Sequence, residues 1–117
     1  MINIFMDDCR RRPEGFTLAR TTDECLLLLR ECEVNILSLD YDMGPDDYNG
    51  DEVAGRIVLE QLYPREIYLH TSSPQGRRAM YEMLYAAVPR ETVLYNRPLS
   101  HEQLAEIAAA ASGEYGQ

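Results

Sequence analysis

Acidic side chains follow two short apolar segments of the sequence. Asp7 and Asp8 come directly after INIFM, and Asp40 and Asp42 come at the end of VNILSL. Carboxylate oxygens are the ligands that Mg²⁺ prefers in proteins, and a cation would offset the repulsion among these acids. If both segments are strands that end at the same edge of a sheet, Asp7, Asp8 and Asp40 predict a magnesium site, with Asp42 close by. The alternative is that aspartates at strand ends accept hydrogen bonds from loop amides and cap helices.

Three further aspartates follow in the same stretch, and their surroundings predict a different role. Asn49-Gly50 is a typical turn pair, and Asp51 stands where a residue could cap the next helix. We therefore predict that Asp46, Asp47 and Asp51 shape the turn and start the helix. Asp40 and Asp42, which lie nearer the apolar segment, are then left for a pocket at the strand end.

Arginines suggest that the chain binds phosphate. All eleven basic residues are arginine, and Arg10, Arg11 and Arg12 directly follow the first acid pair. Guanidinium groups bind phosphate oxygens in a bidentate manner, so an arginine near an acidic cup can hold a phosphorylated ligand. The other interpretation is a solvated loop whose arginines pair with nearby acids, and we expect this for at least one of the three.

The stretch HTSSPQG offers hydroxyl groups followed by a helix start. Ser73 before Pro74 is typical of the first turn of a helix. The free amides and the positive dipole end of such a helix attract anions, and the hydroxyls of Thr71 and Ser72 suit a phosphate, although the same residues would cap any helix. His70 either shuttles a proton at neutral pH or is a structural histidine bonded to a neighbouring carboxylate.

Short apolar segments alternate with helical patterns along the whole chain. The predicted strands are residues 2–6, 16–20, 34–39, 66–70 and 92–95, and helices begin near residues 21, 51, 73 and 100. This alternation predicts an α/β fold with a parallel sheet covered on both faces. Ligands of such sheets collect beyond the carboxyl ends of the strands. The residues that this rule gathers along one edge are Asp7, Asp8, Asp40, Asp42, His70 to Ser73, and Asn96-Arg97.

Length, charge and cysteine content limit the class of protein. The 117 residues suit a single domain over 1–113 with a short C-terminal tail at 114–117. The net charge of -9 argues against bulk binding to duplex DNA, although it permits a small phosphorylated ligand at a local basic cluster. The absence of a long apolar run predicts no membrane-spanning segment, and from the first residues we expect no export signal. Three cysteines without CxxC spacing are typical of reduced thiols, so we expect a cytoplasmic protein.

The residues at the strand ends resemble those of response-regulator receiver domains. LSLDYDMGPDDYNGDEV is similar to the receiver segment that holds the phosphoacceptor aspartate, which would be Asp40. The other roles that this resemblance implies are metal binding by Asp7 and Asp8, a carbonyl ligand to magnesium from Asp42, a switch hydroxyl at Thr71, and Arg97-Pro98 in place of lysine-proline. Two features differ from receivers. The lysine is absent, and the short first connection predicts a missing or reduced first helix.

A narrower resemblance covers nearly the whole chain. IFMDDCRRRP, LSLDYDMG, the glycine before a helix and LHTSSPQGRRAM together resemble the receiver-like group called cyclic-phosphate processing receiver domains. His70 matches the histidine of the group's fourth-strand motif, and Ser73 stands where asparagine is usual. The arginine of the group corresponds to Arg10 if the spacing from the acid pair is compared, and to Arg12 if the spacing to the following proline is compared. We assign it to Arg10.

These resemblances imply a flavodoxin-like, three-layer receiver fold with an acidic, magnesium-dependent pocket. The pocket would bind and hydrolyse a small phosphorylated ligand, such as a nucleotide cyclic or terminal phosphate, in the manner of a metal-assisted phosphoesterase. Asp40 would be a metal ligand or the nucleophile, and His70 the acid or base. The phosphate-binding residues would be Arg10, Thr71, Ser72 and Arg97. The alternatives are a signalling receiver phosphorylated on Asp40 and a degenerate receiver that only binds a protein partner.

Overall fold

A computed structural model describes residues 1–113, and the predicted tail at 114–117 lies outside this range. The strands are β1 (Ile2–Met6), β2 (Thr17–Ala19), β3 (Val34–Leu39), β4 (Glu66–Leu69) and β5 (Val93–Tyr95). The helices are α1 (Thr22–Glu31), α2 (Gly50–Glu60), α3 (Pro74–Tyr85) and α4 (His101–Gly113). Within the described range, none of the helices has the length and apolar character needed to span a membrane.

The five strands form one sheet in which every neighbouring pair is parallel. Their order is β2-β1-β3-β4-β5, with Phe5 beside Ser38 and Ser38 beside Tyr68. Because all strands run in the same direction, their carboxyl ends meet at a single edge of the sheet. The predicted five-stranded parallel α/β fold is therefore confirmed.

The alternation of side chains along the strands divides the core into two layers. One face of the sheet packs Ile4, Leu37 and Leu69 against α1, α2 and α3. The opposite face packs Phe5, Phe16, Ile36 and Tyr68 with Leu99, and it is covered by Leu104 and Ile107 of α4. The result is a three-layer sandwich with three helices on one side and one helix on the other.

The connection between β1 and β2 contains no helix, which confirms the prediction of a missing first helix. Parallel neighbours normally require a longer crossover that packs on the sheet. Here the loop itself supplies the cover, because Phe16 is buried and meets the ring of Phe5 edge-on, with centroids 6.1 Å apart. Arg12 stabilises the loop by donating from Nη1 to the carbonyl of Phe16 at 3.1 Å.

The helix starts follow the predicted caps with one correction. Thr21 caps α1 by accepting from the amide of Glu24, and Ser73 caps α3 by accepting from the amide of Gly76. The prediction that Asp51 caps α2 is wrong, since Asn49 is the N-cap residue and Asp51 lies in the first turn. An acid in the first turn still interacts favourably with the helix dipole.

Asp47 ties the loop after β3 to the start of α1. Its carboxylate accepts from the amide of Thr22 at 2.9 Å and from the hydroxyl of Thr22 at 2.7 Å. It also accepts from the amide of Tyr48 at 2.7 Å. Burial would raise the pKa of Asp47, but the hydrogen bonds from Thr22 outweigh that effect and lower the pKa. The predicted structural role of this aspartate thus includes a contact between two distant segments of the chain.

Replacing Asp47 is expected to destabilise the protein, because the buried Thr22 hydroxyl would lose its partner. Leaving such a group unsatisfied costs about 1 to 3 kcal/mol. Chemical denaturation of Asp47→Ala measures this loss. Asp46→Ala is the matched control, because Asp46 is exposed and removal of the same charge there should change stability by less than about 0.5 kcal/mol. Equal effects of the two substitutions would contradict the assignment.

Candidate functional site

Loops at the carboxyl edge of the sheet enclose a cleft of about 690 Å³. Three loops contribute to it, namely the loop after β1, the loop between β3 and α2, and the loop between β4 and α3. The residues that line the cleft are Asp7, Asp8, Cys9, Arg10, Asp40, Asp42, Gly44, Pro45, Asn49, Thr71, Ser72 and Ser73. The four aspartates predicted as metal ligands are therefore brought to one site.

Asp7 forms the inner wall of this cleft and is fully buried. Its Oδ1 accepts from the amides of Cys9 and Arg10 at 3.0 and 2.7 Å, and its Oδ2 lies 3.0 Å from His70 Nε2. Burial by itself would raise the pKa of Asp7, but these donors outweigh it and lower the pKa below its ordinary value. The fold thus holds an ionised carboxylate at the end of β1.

Asp40 lies at the end of β3 and is half-buried. Its Oδ1 accepts from the amide of Tyr41 at 2.8 Å. Burial, together with the negative charges of Asp7 and Asp8, raises the pKa of Asp40 to about 6. Like charges held this close disfavour ionisation, so the site gains electrostatic stability when a cation binds.

The donor set suits a hard divalent cation. One ligand atom each from Asp7, Asp40 and His70 lie within 4.8 Å of one another, and the same is true of Asp7, Asp8 and Cys9. Carboxylate oxygens supply most of these donors, which is the chemistry that Mg²⁺ prefers. The Asp42 side chain is exposed and accepts from the amide of Gly44 at 3.0 Å, so its carboxylate shapes the turn beside the cup.

The opposite wall of the cleft presents groups suited to an anion. Thr71, Ser72 and Ser73 lead into α3, whose N-terminus carries free amides and the positive end of the dipole. The Thr71 hydroxyl accepts from the amide of Ser73 at 3.1 Å. Arg10 lines the cleft on the other side, with Nε 3.7 Å from Asp7 Oδ2 and most of its side chain exposed. Of the two arginines considered, Arg12 is committed to the loop and Arg10 is the one at the cleft.

His70 and Arg97 do not line the cleft, although the sequence placed both at the same sheet edge. His70 is only 3% exposed and lies behind Asp7, between the Asp7 carboxylate and the hydroxyl of Ser38. Burial lowers the pKa of His70 to about 4, so the ring is neutral near pH 7. The position of this side chain matches the interpretation of a structural histidine bonded to a carboxylate.

Arg97 stacks over the rings of Tyr68 and Tyr95, with Cζ 5.6 and 4.9 Å from their centroids. Its Nη1 donates to the carbonyl of Pro98 and to Gln103 Oε1 at 3.0 and 3.2 Å. The guanidinium is therefore held on the side of the sheet that faces α4. It is not placed with the residues expected to contact phosphate.

Three residues that support the site were not identified from the sequence. Cys9 lines the cleft beside the acids, and the charge of Asp8 raises the pKa of its thiol. Arg20 donates from Nη1 to the carbonyls of Asp7 and Arg10, which holds the loop in place. Ser38 bonds to His70, and the signal for it was visible as a single hydroxyl residue within the apolar strand VNILSL.

Comparisons with known proteins agree with this architecture. The solved receiver domain of the Francisella response regulator 1452 is similar in structure, with a TM-score of 0.53 and 13% sequence identity, over 97% of this chain and 94% of that chain. No curated protein matches the chain. The family model described as the cyclic-phosphate processing receiver domain matches residues 2–86. The chain, with its receiver-type sheet and its acidic cleft at the strand ends, therefore belongs to the cyclic-phosphate processing receiver domain family.

Proposed function

We propose that the acidic cleft takes up Mg²⁺ and binds a small phosphorylated ligand, which it hydrolyses. Nucleotides with a cyclic or terminal phosphate are the proposed substrate class. The observation that carries the proposal is that one cleft combines surfaces of opposite charge. The negative surface consists of Asp7, Asp8 and Asp40. The positive surface consists of Arg10 and the N-terminus of α3. A cation alone would need only the first surface, and an anion alone only the second.

The cation would be held by Asp7 and Asp40, with Asp8 adding charge at the mouth of the cup. Bound there, magnesium would neutralise the acids and polarise a phosphoryl oxygen. The protein contributes a rigid base for this cup, because both Asp7 oxygens are hydrogen-bonded and Asp40 Oδ1 is fixed by the amide of Tyr41. Arg10 and the hydroxyls of Thr71 and Ser72 would then orient the remaining phosphate oxygens.

Hydrolysis of a cyclic phosphate forms a bond between phosphorus and the water oxygen and breaks the bond from phosphorus to one ribose oxygen. We assign the proton transfer to Asp40, which takes the proton from water and delivers it to the leaving ribose oxygen. Asp40 is ionised at neutral pH, and the Asp40 oxygen that does not hold the cation is the one that takes the proton. His70 is unsuited to it because the ring is buried behind Asp7.

The proposal is tested with purified protein, Mg²⁺ and 2′,3′-cyclic nucleotides. We expect conversion to nucleoside monophosphate that stops when the metal is chelated and is lost in Asp40→Asn. Calorimetric titration with Mg²⁺ and then with inorganic phosphate tests binding separately from turnover. Absence of turnover, or equal turnover in Asp40→Asn, would refute the enzyme. Absence of heat with both ligands would refute the binding site as well.

We expect Arg10 to contribute to phosphate affinity and Arg11 to make no specific contribution. Replacement of Arg10 by alanine removes the guanidinium that lines the cleft, and we expect phosphate affinity in the presence of Mg²⁺ to fall about tenfold, as for a charged hydrogen bond. Arg11→Ala removes the same charge from an exposed neighbour that does not line the cleft. Calorimetry on both variants distinguishes a specific contact from a general loss of positive charge. Equal losses would contradict a specific role for Arg10.

A second candidate is a signalling receiver that accepts a phosphoryl group on Asp40. The observation that favours it is the position of Asp40 at the end of β3, half-exposed to the cleft and beside Asp7. Addition of beryllofluoride with Mg²⁺ should then shift the NMR signals of residues around Asp40, and Asp40→Asn should abolish the shift. No magnesium-dependent change with beryllofluoride would exclude this candidate.

A further inference from the structure

A buried chain of hydrogen bonds runs behind the cleft through Ser38, His70 and Asp7. Ser38 Oγ lies 2.5 Å from His70 Nδ1, and His70 Nε2 lies 3.0 Å from Asp7 Oδ2. All three side chains are at most 3% exposed. They project toward the same face of the sheet, because Ser38 pairs with Phe5 and Tyr68, and Asp7 and His70 follow those two residues by two positions. This is the face that Phe16 of the loop between β1 and β2 covers.

The donor and the acceptor in each of these hydrogen bonds follow from which atoms carry a proton. The ionised Asp7 carboxylate can only accept, so His70 must carry a proton on Nε2 to bond with it. In a neutral ring Nδ1 then has a lone pair and must accept, so the hydroxyl of Ser38 donates to it. The ring is further fixed by Phe5, which stacks on it with centroids 4.2 Å apart and planes 5° from parallel. In these two hydrogen bonds, each polar atom of Ser38, His70 and Asp7 is therefore fixed as either a donor or an acceptor.

These hydrogen bonds determine which oxygen of Asp7 can bind a ligand. Its Oδ1 is saturated by the two backbone amides of the loop, so Oδ2 is the oxygen with a lone pair left for a ligand in the cleft. The hydrogen bond from His70 to Oδ2 holds the Asp7 side chain in one χ1 rotamer, with Oδ2 on the side of the ring. We propose that His70 is a positioning residue that directs Asp7 Oδ2 toward the cation cup, and that Ser38 selects the ring tautomer required for this.

The positioning role rests on the proposed function in one respect: one of its two tests measures magnesium affinity, which presupposes the proposed metal site. Partners of metal ligands typically contribute tenfold to a hundredfold to metal affinity. His70→Phe preserves the ring and its stacking on Phe5 but removes both hydrogen bonds. His70→Gln offers an amide that can donate to Asp7 from nearly the position of Nε2. The two variants therefore separate loss of packing from loss of the hydrogen bond.

The test combines NMR on the metal-free protein with calorimetry. In the wild type we expect ring nitrogen shifts that place the proton on His70 Nε2, and three-bond couplings to Asp7 Cγ that indicate one χ1 rotamer. Ser38→Ala should mix the two tautomers, and His70→Phe should average the couplings. We also expect magnesium affinity to fall about tenfold or more in His70→Phe and to stay within about threefold of the wild type in His70→Gln.

The outcomes distinguish this inference from the proposed function. A proton on Nδ1, or one unchanged Asp7 rotamer in both His70→Phe and Ser38→Ala, would overturn the positioning role whether or not magnesium binds. Wild-type protein with the expected shifts and couplings but without magnesium binding would refute the function and leave the positioning of Asp7 supported. If His70→Phe does not fold, Ser38→Ala supplies the same comparison with the loss of a single oxygen atom.

Discussion

Asp40→Asn is expected to weaken magnesium binding by about a hundredfold or more and at the same time to stabilise the metal-free protein. Asparagine retains the shape of the side chain and an oxygen that can accept from the amide of Tyr41. It removes one of the two carboxylates that hold the cation. Since even outer partners of a metal site are worth tenfold to a hundredfold, loss of a direct ligand should lower affinity by about a hundredfold or more. Calorimetric titration with Mg²⁺ measures this change.

The stabilisation arises because the fold disfavours the ionised form of Asp40. A pKa raised from 3.8 to about 6 corresponds to about 3 kcal/mol, and partial exposure to solvent reduces this to about 1 to 2 kcal/mol at neutral pH. Because the pKa of Asp40 is higher in the folded state than in the unfolded state, its ionisation lowers the free energy of unfolding. The loss of stability caused by ionised Asp40 is absent below about pH 4, grows as the pH rises to about 6, and is constant above that value.

Denaturation of wild type and Asp40→Asn across this pH range, without metal, isolates the effect. The difference in unfolding free energy should be small at pH 4 and reach its full value by about pH 7. Asp46→Asn is the matched control, since it removes the same charge from an exposed position outside the cleft. Saturating Mg²⁺ should stabilise the wild type and not Asp40→Asn. A destabilised Asp40→Asn at neutral pH would contradict the assigned electrostatics.

Gly50→Ala should be among the most damaging substitutions in the chain. A Cβ at Gly50 would overlap the carbonyl oxygen of Asp40 and lie 2.8 Å from Met80 Sδ. The amide of Gly50 also donates to the carbonyl of Tyr41 at 2.7 Å, so α2 starts in direct backbone contact with the loop that carries Asp40. Because a backbone oxygen cannot rotate away, the loop or the helix must move. We expect a loss of about 3 kcal/mol, as for overpacking of a core.

Gly55→Ala in the same helix is the control for this prediction. A Cβ at Gly55 would meet Met83 Sδ at 3.5 Å, which is an ordinary contact. Alanine within a helix is more stable than glycine by about 0.5 to 1 kcal/mol, so Gly55→Ala should raise stability. Urea denaturation of both variants measures the two effects, which have opposite signs. Displacement of Asp40 in Gly50→Ala should also weaken magnesium binding in the folded fraction. A stable Gly50→Ala with normal affinity would contradict the close contact.

Much of the fold could be predicted because its determinants are local. Apolar segments of strand length alternate with capped helices, and this pattern is sufficient for a parallel sheet with its site at the carboxyl edge. The short segment between Met6 and Phe16 likewise left no room for the usual helix, as the structure confirms. The cap at Asp51 was predicted wrongly because neighbouring turn residues offer several caps, and the path of the backbone selects Asn49.

The sequence by itself determined that Asp7, Asp8, Asp40 and Asp42 share one cleft, since strand direction alone brings the strand ends together. Only the tertiary structure decided how the other polar side chains at that edge are used. Arg97 follows β5 but turns onto Tyr68 and Tyr95, where its guanidinium gains two aromatic faces. His70 follows β4 but is buried between Ser38 and Asp7. The physical reason is that position along a strand sets the edge, whereas the packing of distant segments sets the direction of each side chain.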